Sequence, residues 1–162
     1  MTQQTRHAYC SVVLHKAKEN KDIQLAHWEH NVATTVGIDQ LHINGYTSTS
    51  RSGRGFNAIA LTENTGQTIN SAQTALTAEL TTAGFARIEA TTRTHSNGTN
   101  TSTISHVFTA TGAMTDIVRS ALFDAVTAPV SGVMGHIAAF ASGSGTIAIN
   151  DTLTVTWTIT LS

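Results

Sequence analysis

The 162-residue chain is poor in the residues that mark several common protein classes. It has a single cysteine, Cys10, so no internal disulfide can form, and a single proline, Pro129. Charged residues make up 12% of the sequence, against about 25% in ordinary soluble domains. Lysine and arginine together number 9 and the acidic residues 10, with no basic patch of the kind that binds nucleic acid. We therefore expect no nucleic-acid partner.

Long apolar runs are also missing. No segment approaches the roughly 20 apolar residues of a membrane-spanning helix. Residues 9–14 are too short for the apolar core of a signal peptide. We therefore expect no membrane partner and a protein made in a cytoplasm without the common route of export. The Asn-X-Ser/Thr triplets at Asn97, Asn100 and Asn150 are then products of composition.

Threonine is the commonest residue, and its pattern at residues 151–162 (DTLTVTWTITLS) is the clearest structural signal. Hydroxyl side chains occupy one parity, and after Asp151 the other parity carries only apolar side chains: Leu153, Val155, Trp157, Ile159 and Leu161. Successive side chains of a strand point to opposite faces, so the pattern predicts a strand with one apolar face. A second sheet must cover that face, and we expect Trp157 in the core between the sheets.

Further strands are predicted at residues 7–14, 56–62, 117–123 and 133–140. A hairpin is predicted at residues 86–110, with a turn at Asn97-Gly98 and with Ala86, Ile88 and Ala90 on its apolar face. A short helix is expected within residues 23–42. Residues 69–80 fit either a helix or an irregular crossing segment. The fold class is all-β: an antiparallel sandwich, jelly-roll-like, with one or two short helical segments.

Two regions are expected. Residues 1–55 form an N-terminal arm and an ambiguous strand-or-helix region packed on the main domain, and residues 56–162 form the β-sandwich domain. The first six residues are polar, and we expect them to be an arm that docks on a neighbouring protein.

The motif at residues 27–30, His-Trp-Glu-His, invites a metal interpretation. Zinc proteases place two histidines four residues apart on a helix, whereas His27 and His30 are three apart. His42 is the nearest third ligand. We predict ordinary histidines and no metal site, and a metal hydrolase built from these three residues is the alternative.

No catalytic constellation stands out. His106 shares a parity with Ile104 and Phe108, which predicts a hydrogen-bonded core or interface histidine. The chain has no Gly-x-Ser-x-Gly nucleophile elbow. The glycine pairs at residues 53–55 and 143–145 lack the lysine of a phosphate loop and are predicted to be turns. We therefore expect no catalytic, cofactor-binding or metal-binding residues, no cofactor and no enzymatic activity.

Five stretches together resemble a recurrent pattern in structural proteins of tailed bacteriophages and related viruses. They cover residues 56–162 and read, in order, FNAIALT, ALTAEL, AGFARIEAT, HVFTATGAMTDIVRSALFDA and GTIAINDTLTVTWTITLS. Thr62 stands where glycine is usual in that pattern. The segment before Phe56 is not covered.

The resemblance implies a non-enzymatic virion protein with a β-sandwich fold, most often a capsid decoration or minor capsid component. The major capsid protein or other virion proteins would be its partners, and self-association is expected on a symmetric particle. A tail, collar or baseplate component is the alternative in the same class. A carbohydrate-binding β-sandwich module is the alternative from another class.

Overall fold

A computed structural model of the chain describes residues 6–30, 32–34, 55–95, 101–126 and 132–161. Within these ranges the chain contains no helix and forms the following strands: β1 (Arg6–Lys16), β2 (Lys21–His30), β3 (Val32–Ala33), β4 (Ala58–Thr62), β5 (Ile88–Glu89), β6 (Thr92–His95), β7 (Thr101–Thr109), β8 (Arg119–Phe123), β9 (Met134–Ala139) and β10 (Thr152–Leu161). No helix in these ranges has the length and hydropathy to cross a membrane.

The strands build two antiparallel five-stranded sheets. Sheet A has the order β2-β1-β10-β7-β6, and sheet B has the order β3-β9-β8-β4-β5. Their inward faces share one hydrophobic core, so the all-β, sandwich-like fold class predicted from the sequence is confirmed. The finer expectation of a jelly-roll topology stays a prediction. Strands from both sides of the expected division at residue 55 lie in each sheet.

The threonine-rich C-terminal strand, β10, is the central strand of sheet A. It pairs with β1 on one side and with β7 on the other. Leu153, Val155 and Trp157 point inward and are fully buried, as the alternation predicts. The indole Nε1 of Trp157 donates a hydrogen bond to Ser120 Oγ of β8 at 3.2 Å, so a polar contact joins the two sheets inside the core.

Sheet B is buried on both faces. Every residue of β4 and of β8 is buried, although an antiparallel sheet commonly leaves one face to solvent. Residues 63–87, here named the cover segment, cross the outer face, where Leu76 and Ile69 pack on the small side chains of Ala58 and Ala60. The segment has no helix, so residues 69–80 form an irregular crossing segment, which confirms the second of the two structures predicted for them.

Thr62 anchors the cover segment to the end of β4. Its hydroxyl lies 2.7 Å from the carbonyl oxygen of Thr77 and 2.9 Å from that of Ala78, and Leu80 N–H donates to Leu61 O at 2.9 Å. Ala78 has a left-handed backbone (φ 51°), which L-residues other than glycine adopt at a cost. The anchoring contacts offset that strain.

The helix expected within residues 23–42 is wrong for residues 23–30. These residues belong to β2, because their backbone pairs with β1 and because Leu25 and Ala26 are buried against the core between the sheets. Val32 and Ala33 form β3 at the edge of sheet B. Residues 35–42 lie outside the described ranges.

The hairpin expected at residues 86–110 is confirmed in its second part, because β6 and β7 are consecutive strands that pair antiparallel, whereas its first part, β5, lies in the other sheet. The short β5 pairs with β4 in sheet B, and β6 pairs with β7 in sheet A. The expected apolar parity is also wrong, since Ile88 is 41% exposed while Arg87 is buried. Arg87 lies inward because a buried carboxylate and an aromatic ring there stabilise its charge. The Asn97-Gly98 turn lies outside the described residues.

Asp151 fixes the connection between the β1–β2 turn and the start of β10. Its Oδ1 accepts the N–H of Ala17 and its Oδ2 accepts the N–H of Ala148, each at 2.9 Å. Lys16 Nζ lies 3.4 Å from Oδ2. Burial acts to raise the pKa of Asp151, but the two backbone donors and Lys16 outweigh burial and hold this pKa below its usual value.

Replacing Trp157 with alanine should lower the free energy of unfolding by about 3–5 kcal/mol, because a fully buried indole and its hydrogen bond to Ser120 are lost. Urea denaturation followed by circular dichroism measures this loss. Thr158→Ala, on the outer face of the same strand, is the control and should cost less than about 1 kcal/mol. A loss below about 1 kcal/mol for Trp157→Ala would contradict the position of the indole in the core.

Asp151→Asn should reduce stability at neutral pH by about 2 kcal/mol, because hydrogen bonds to a charged acceptor are weakened. The pKa of Asp151 is lower in the folded state than in the unfolded state. The stability that its carboxylate contributes is therefore fully present above the unfolded-state pKa of about 4, and it is lost as the pH falls through the folded-state pKa. Melting temperatures measured from pH 7 downward should therefore fall less steeply for Asp151→Asn than for the wild type. Parallel curves would refute this role.

Candidate functional site

The outer face of sheet A is an array of short hydroxyl side chains. Cross-strand partners in the sheet register point to the same side, so the outward parity of β10 lies beside the outward parities of β1 and β7. We name this surface the hydroxyl face; its residues are Ser11 of β1, Thr92 and Thr94 of β6, Thr101, Thr103, Ser105 and Thr109 of β7, and Thr152, Thr154, Thr156, Thr158 and Thr160 of β10.

Hydrogen bonds between neighbouring strands order part of this array. Ser105 Oγ lies 3.1 Å from Thr156 Oγ1, and Thr101 Oγ1 lies 3.4 Å from Thr160 Oγ1. Tyr9, Val13 and Val107 are also on this face, and Val107 is 50% exposed. No lysine, arginine, aspartate or glutamate occupies the outward positions of β1, β7 or β10 in the described residues. The hydrogen-bonded pair His15–Asp22 (Nδ1 to Oδ1, 2.6 Å) marks one corner.

A cleft of about 360 Å³ opens near β6 and the start of β4. Its lining combines two apolar side chains with an amide, a guanidinium and hydroxyls: Phe56, Ile104, Asn57, Arg93, Thr94, Ser102 and Thr103. Glu89 accepts hydrogen bonds from both Asn57 and Arg93, so two of the polar groups are held in place. Phe56 is nearly buried and meets the ring of His136 edge-on, so the cleft offers no open aromatic face for stacking a sugar.

The histidine motif at residues 27–30 is part of a strand. It lies on β2 and not on a helix, so the helical face that the metal interpretation assumed is absent. His42 lies outside the described residues. No group of three or more His, Cys, Asp or Glu side chains in the described ranges could hold a metal ion.

His106 lies on the inward face of β7, opposite Val155 and beside Phe108. Its ring meets the ring of Phe108 edge-on, with centroids 4.7 Å apart. The Nδ1 atom is enclosed and makes no hydrogen bond, so the hydrogen-bonded histidine expected from the sequence is not seen at that atom. Burial lowers the pKa of His106.

The glycine pair at residues 143–145 is the structural turn that the sequence predicts. Ser144 Oγ accepts the N–H of Ile117 at 2.9 Å, and Asp116 Oδ1 accepts the N–H of Gly145 at 2.9 Å. A β-carbon at Gly143 would lie 1.9 Å from Asp116 Oδ1, so only glycine fits there. In the other pair, residues 53 and 54 lie outside the described residues.

Two buried arginines were not anticipated from the sequence. Arg87 forms a bidentate ion pair with Glu79 (Nε to Oε1 2.8 Å, Nη2 to Oε2 2.5 Å), and its guanidinium lies 3.6 Å from the centroid of the Phe123 ring. The ion pair links two parts of the cover segment, and the guanidinium attaches the segment to sheet B through the Phe123 ring and through a hydrogen bond to Ala125 O at 3.2 Å. The sequence signal, an arginine within an alternating strand, is typical of an exposed residue.

Arg119 at the start of β8 is buried without a carboxylate partner. Its Nη2 donates to Thr65 O at 2.8 Å, while Nε and Nη1 are enclosed and make no hydrogen bond. Burial lowers the pKa of this guanidinium. Leaving a buried donor unsatisfied costs about 1–3 kcal/mol, so Arg119 strains this end of sheet B.

Comparison with protein-family models, with curated proteins and with solved structures finds no match to this chain.

Arg119→Met should leave the free energy of unfolding unchanged or raise it by about 1 kcal/mol, because a buried cation with two unsatisfied donors is replaced by an apolar chain of similar length. Arg87→Met is the contrasting variant and should cost about 3–5 kcal/mol, since it leaves the buried Glu79 carboxylate unpaired. Denaturant unfolding measures both. A loss above about 2 kcal/mol for Arg119→Met would show that its guanidinium is stabilised by a bound ion or water.

Proposed function

We propose that this chain is a non-enzymatic structural protein of a tailed virus, located in the virion as a capsid decoration or minor capsid component. The observation that carries the proposal is the resemblance over residues 56–162. Its quoted stretches include β4, β5, β8 and β10 and part of β7, so the pattern spans strands of both sheets. The major capsid protein or another virion protein is the proposed partner.

The arrangement of side chains supports a structural role over a catalytic one. Two sets of buried polar groups have structural contacts: Ser120 joins the two sheets through Trp157, and the Arg87–Glu79 pair orders the cover segment. The hydroxyl face is broad and almost uncharged, as suits a module that packs against other protein surfaces on a symmetric particle.

A carbohydrate-binding module is the second candidate. The cleft supports it, because a guanidinium, an amide and hydroxyls line one small concavity. The absence of an open aromatic face in the described part of the cleft weighs against it. Binding on a glycan array that Arg93→Ala abolishes would favour this candidate over the virion role.

Immunogold electron microscopy of particles produced from the genome that encodes the chain tests the virion proposal. Antibody raised against the purified protein should label particle heads at regular positions. Labelling of tails, necks or baseplates would contradict the capsid location and support the alternative of a tail, collar or baseplate component. A virus engineered to display the same chain is the control and should bind the antibody. If that control is labelled and the natural particles are not, the virion role is contradicted.

A further inference from the structure

The two outer surfaces of the sandwich differ in how they are covered. The outer face of sheet B is buried beneath the cover segment, and the side chains of Leu76, Phe123 and Met134 are packed there. Sheet A has no such cover in the described ranges, and its central strand presents a row of half-buried threonines. Among the described residues, the hydroxyl face is therefore an outer sheet face that no segment covers.

We infer that the hydroxyl face is a self-association surface, on which a second copy of this chain packs through the same face of its own sheet A. This goes beyond the proposed virion role and does not depend on it. The interface would be isologous, so the face must be complementary to itself: a residue i of one copy meets a residue j of the other, and j meets i.

Hydroxyl groups meet that requirement because each one both donates and accepts a hydrogen bond. Two identical faces of threonine and serine can therefore pair, whereas two identical faces of lysine or of glutamate would repel. The outward positions of β1, β7 and β10 carry no such charge in the described residues. Nucleic acid fits this surface poorly, because binding a phosphate backbone requires lysine or arginine side chains. A sugar also fits poorly, because sugars stack on aromatic rings and Tyr9 is the one aromatic residue of the face among the described residues.

Short side chains also keep the entropy cost of association low. Threonine, serine and valine have few rotatable bonds, and the sheet already restricts their rotamers. The hydrogen bonds between Ser105 and Thr156 and between Thr101 and Thr160 hold part of the array in place before any partner arrives. A partner thus meets a largely pre-organised surface.

The area of the hydroxyl face suits a weak, reversible dimer. The face lies on four strands of sheet A (β1, β10, β7 and β6), and β10 has 10 residues. At about 3.3 Å per residue and about 4.8 Å between strands, the face measures about 33 by 14 Å, or about 480 Å². Two copies would bury about 950 Å², the size of a weak or transient protein interface. Two sheets with the usual right-handed twist pack face to face with their strands about 30° apart.

Charge placed in the middle of the face tests the inference. Val107→Lys adds an ammonium group beside Thr154 in the sheet register, where no carboxylate of the same face can pair with it. Val126→Lys is the matched control, because Val126 is 47% exposed against 50% for Val107 and does not belong to sheet A. Circular dichroism spectra and melting curves establish that both variants are folded.

Sedimentation velocity of the full chain at about 1–100 μM, the range expected for an interface of this area, supplies the readout. We expect a dimer for the wild type and for Val126→Lys, and a dissociation constant raised more than about tenfold for Val107→Lys. A monomeric wild type at about 100 μM would overturn the inference. Equal dissociation constants for all three proteins, or equal weakening by both lysines, would overturn it as well.

Self-association of the purified protein and labelling of particles are independent measurements. If the purified protein is a monomer and the antibody labels virus heads, the self-association inference is wrong and the virion role stands. If the purified protein is a dimer and the antibody labels no particle, the self-association inference stands and the virion role is contradicted.

Discussion

The indole of Trp157 stands at the point where the two sheets meet. It is fully buried on the central strand of sheet A, and its Nε1–H reaches the hydroxyl of Ser120 on sheet B. Burial of an aromatic side chain removes about 150–250 Å² from water, which contributes about 4–6 kcal/mol at about 25 cal/mol per Å². The strands β1 and β7 both pair with β10. Loss of the Trp157 contact therefore weakens the strand that holds both of them in the sheet.

That central position also fixes which side chains reach the surface. Once Leu153, Val155 and Trp157 point inward, the pleat turns the threonines of β10 outward, and the register brings the hydroxyls of β1 and β7 beside them. A low-charge sequence thereby gains a polar surface without using ions. The hydroxyl face follows from the same alternation that builds the core.

Charge is used sparingly and mostly at places where segments of chain meet. Asp151 binds two backbone N–H groups and Lys16 at one end of sheet A, and Glu79 with Arg87 holds the cover segment on sheet B. These groups position the irregular parts of the chain, which lack a strand ladder of their own. Arg119 differs, since its buried guanidinium has a single carbonyl partner in the described structure.

The sequence by itself determined the all-β class, the inward face of β10 and the turn at residues 143–145, because alternation and glycine placement are local properties that the backbone geometry translates directly. The sequence alone could not determine that residues 23–30 form a strand. Their apolar residues have a weak helical spacing, but backbone pairing with β1 places them in the sheet. Arg87 and Ile88 exchanged their expected sides because a distant Glu79 makes burial of the arginine favourable. Only the tertiary structure decided that the outer face of sheet B is covered, since that depends on where the cover segment crosses the sheet, and no local pattern encodes this path.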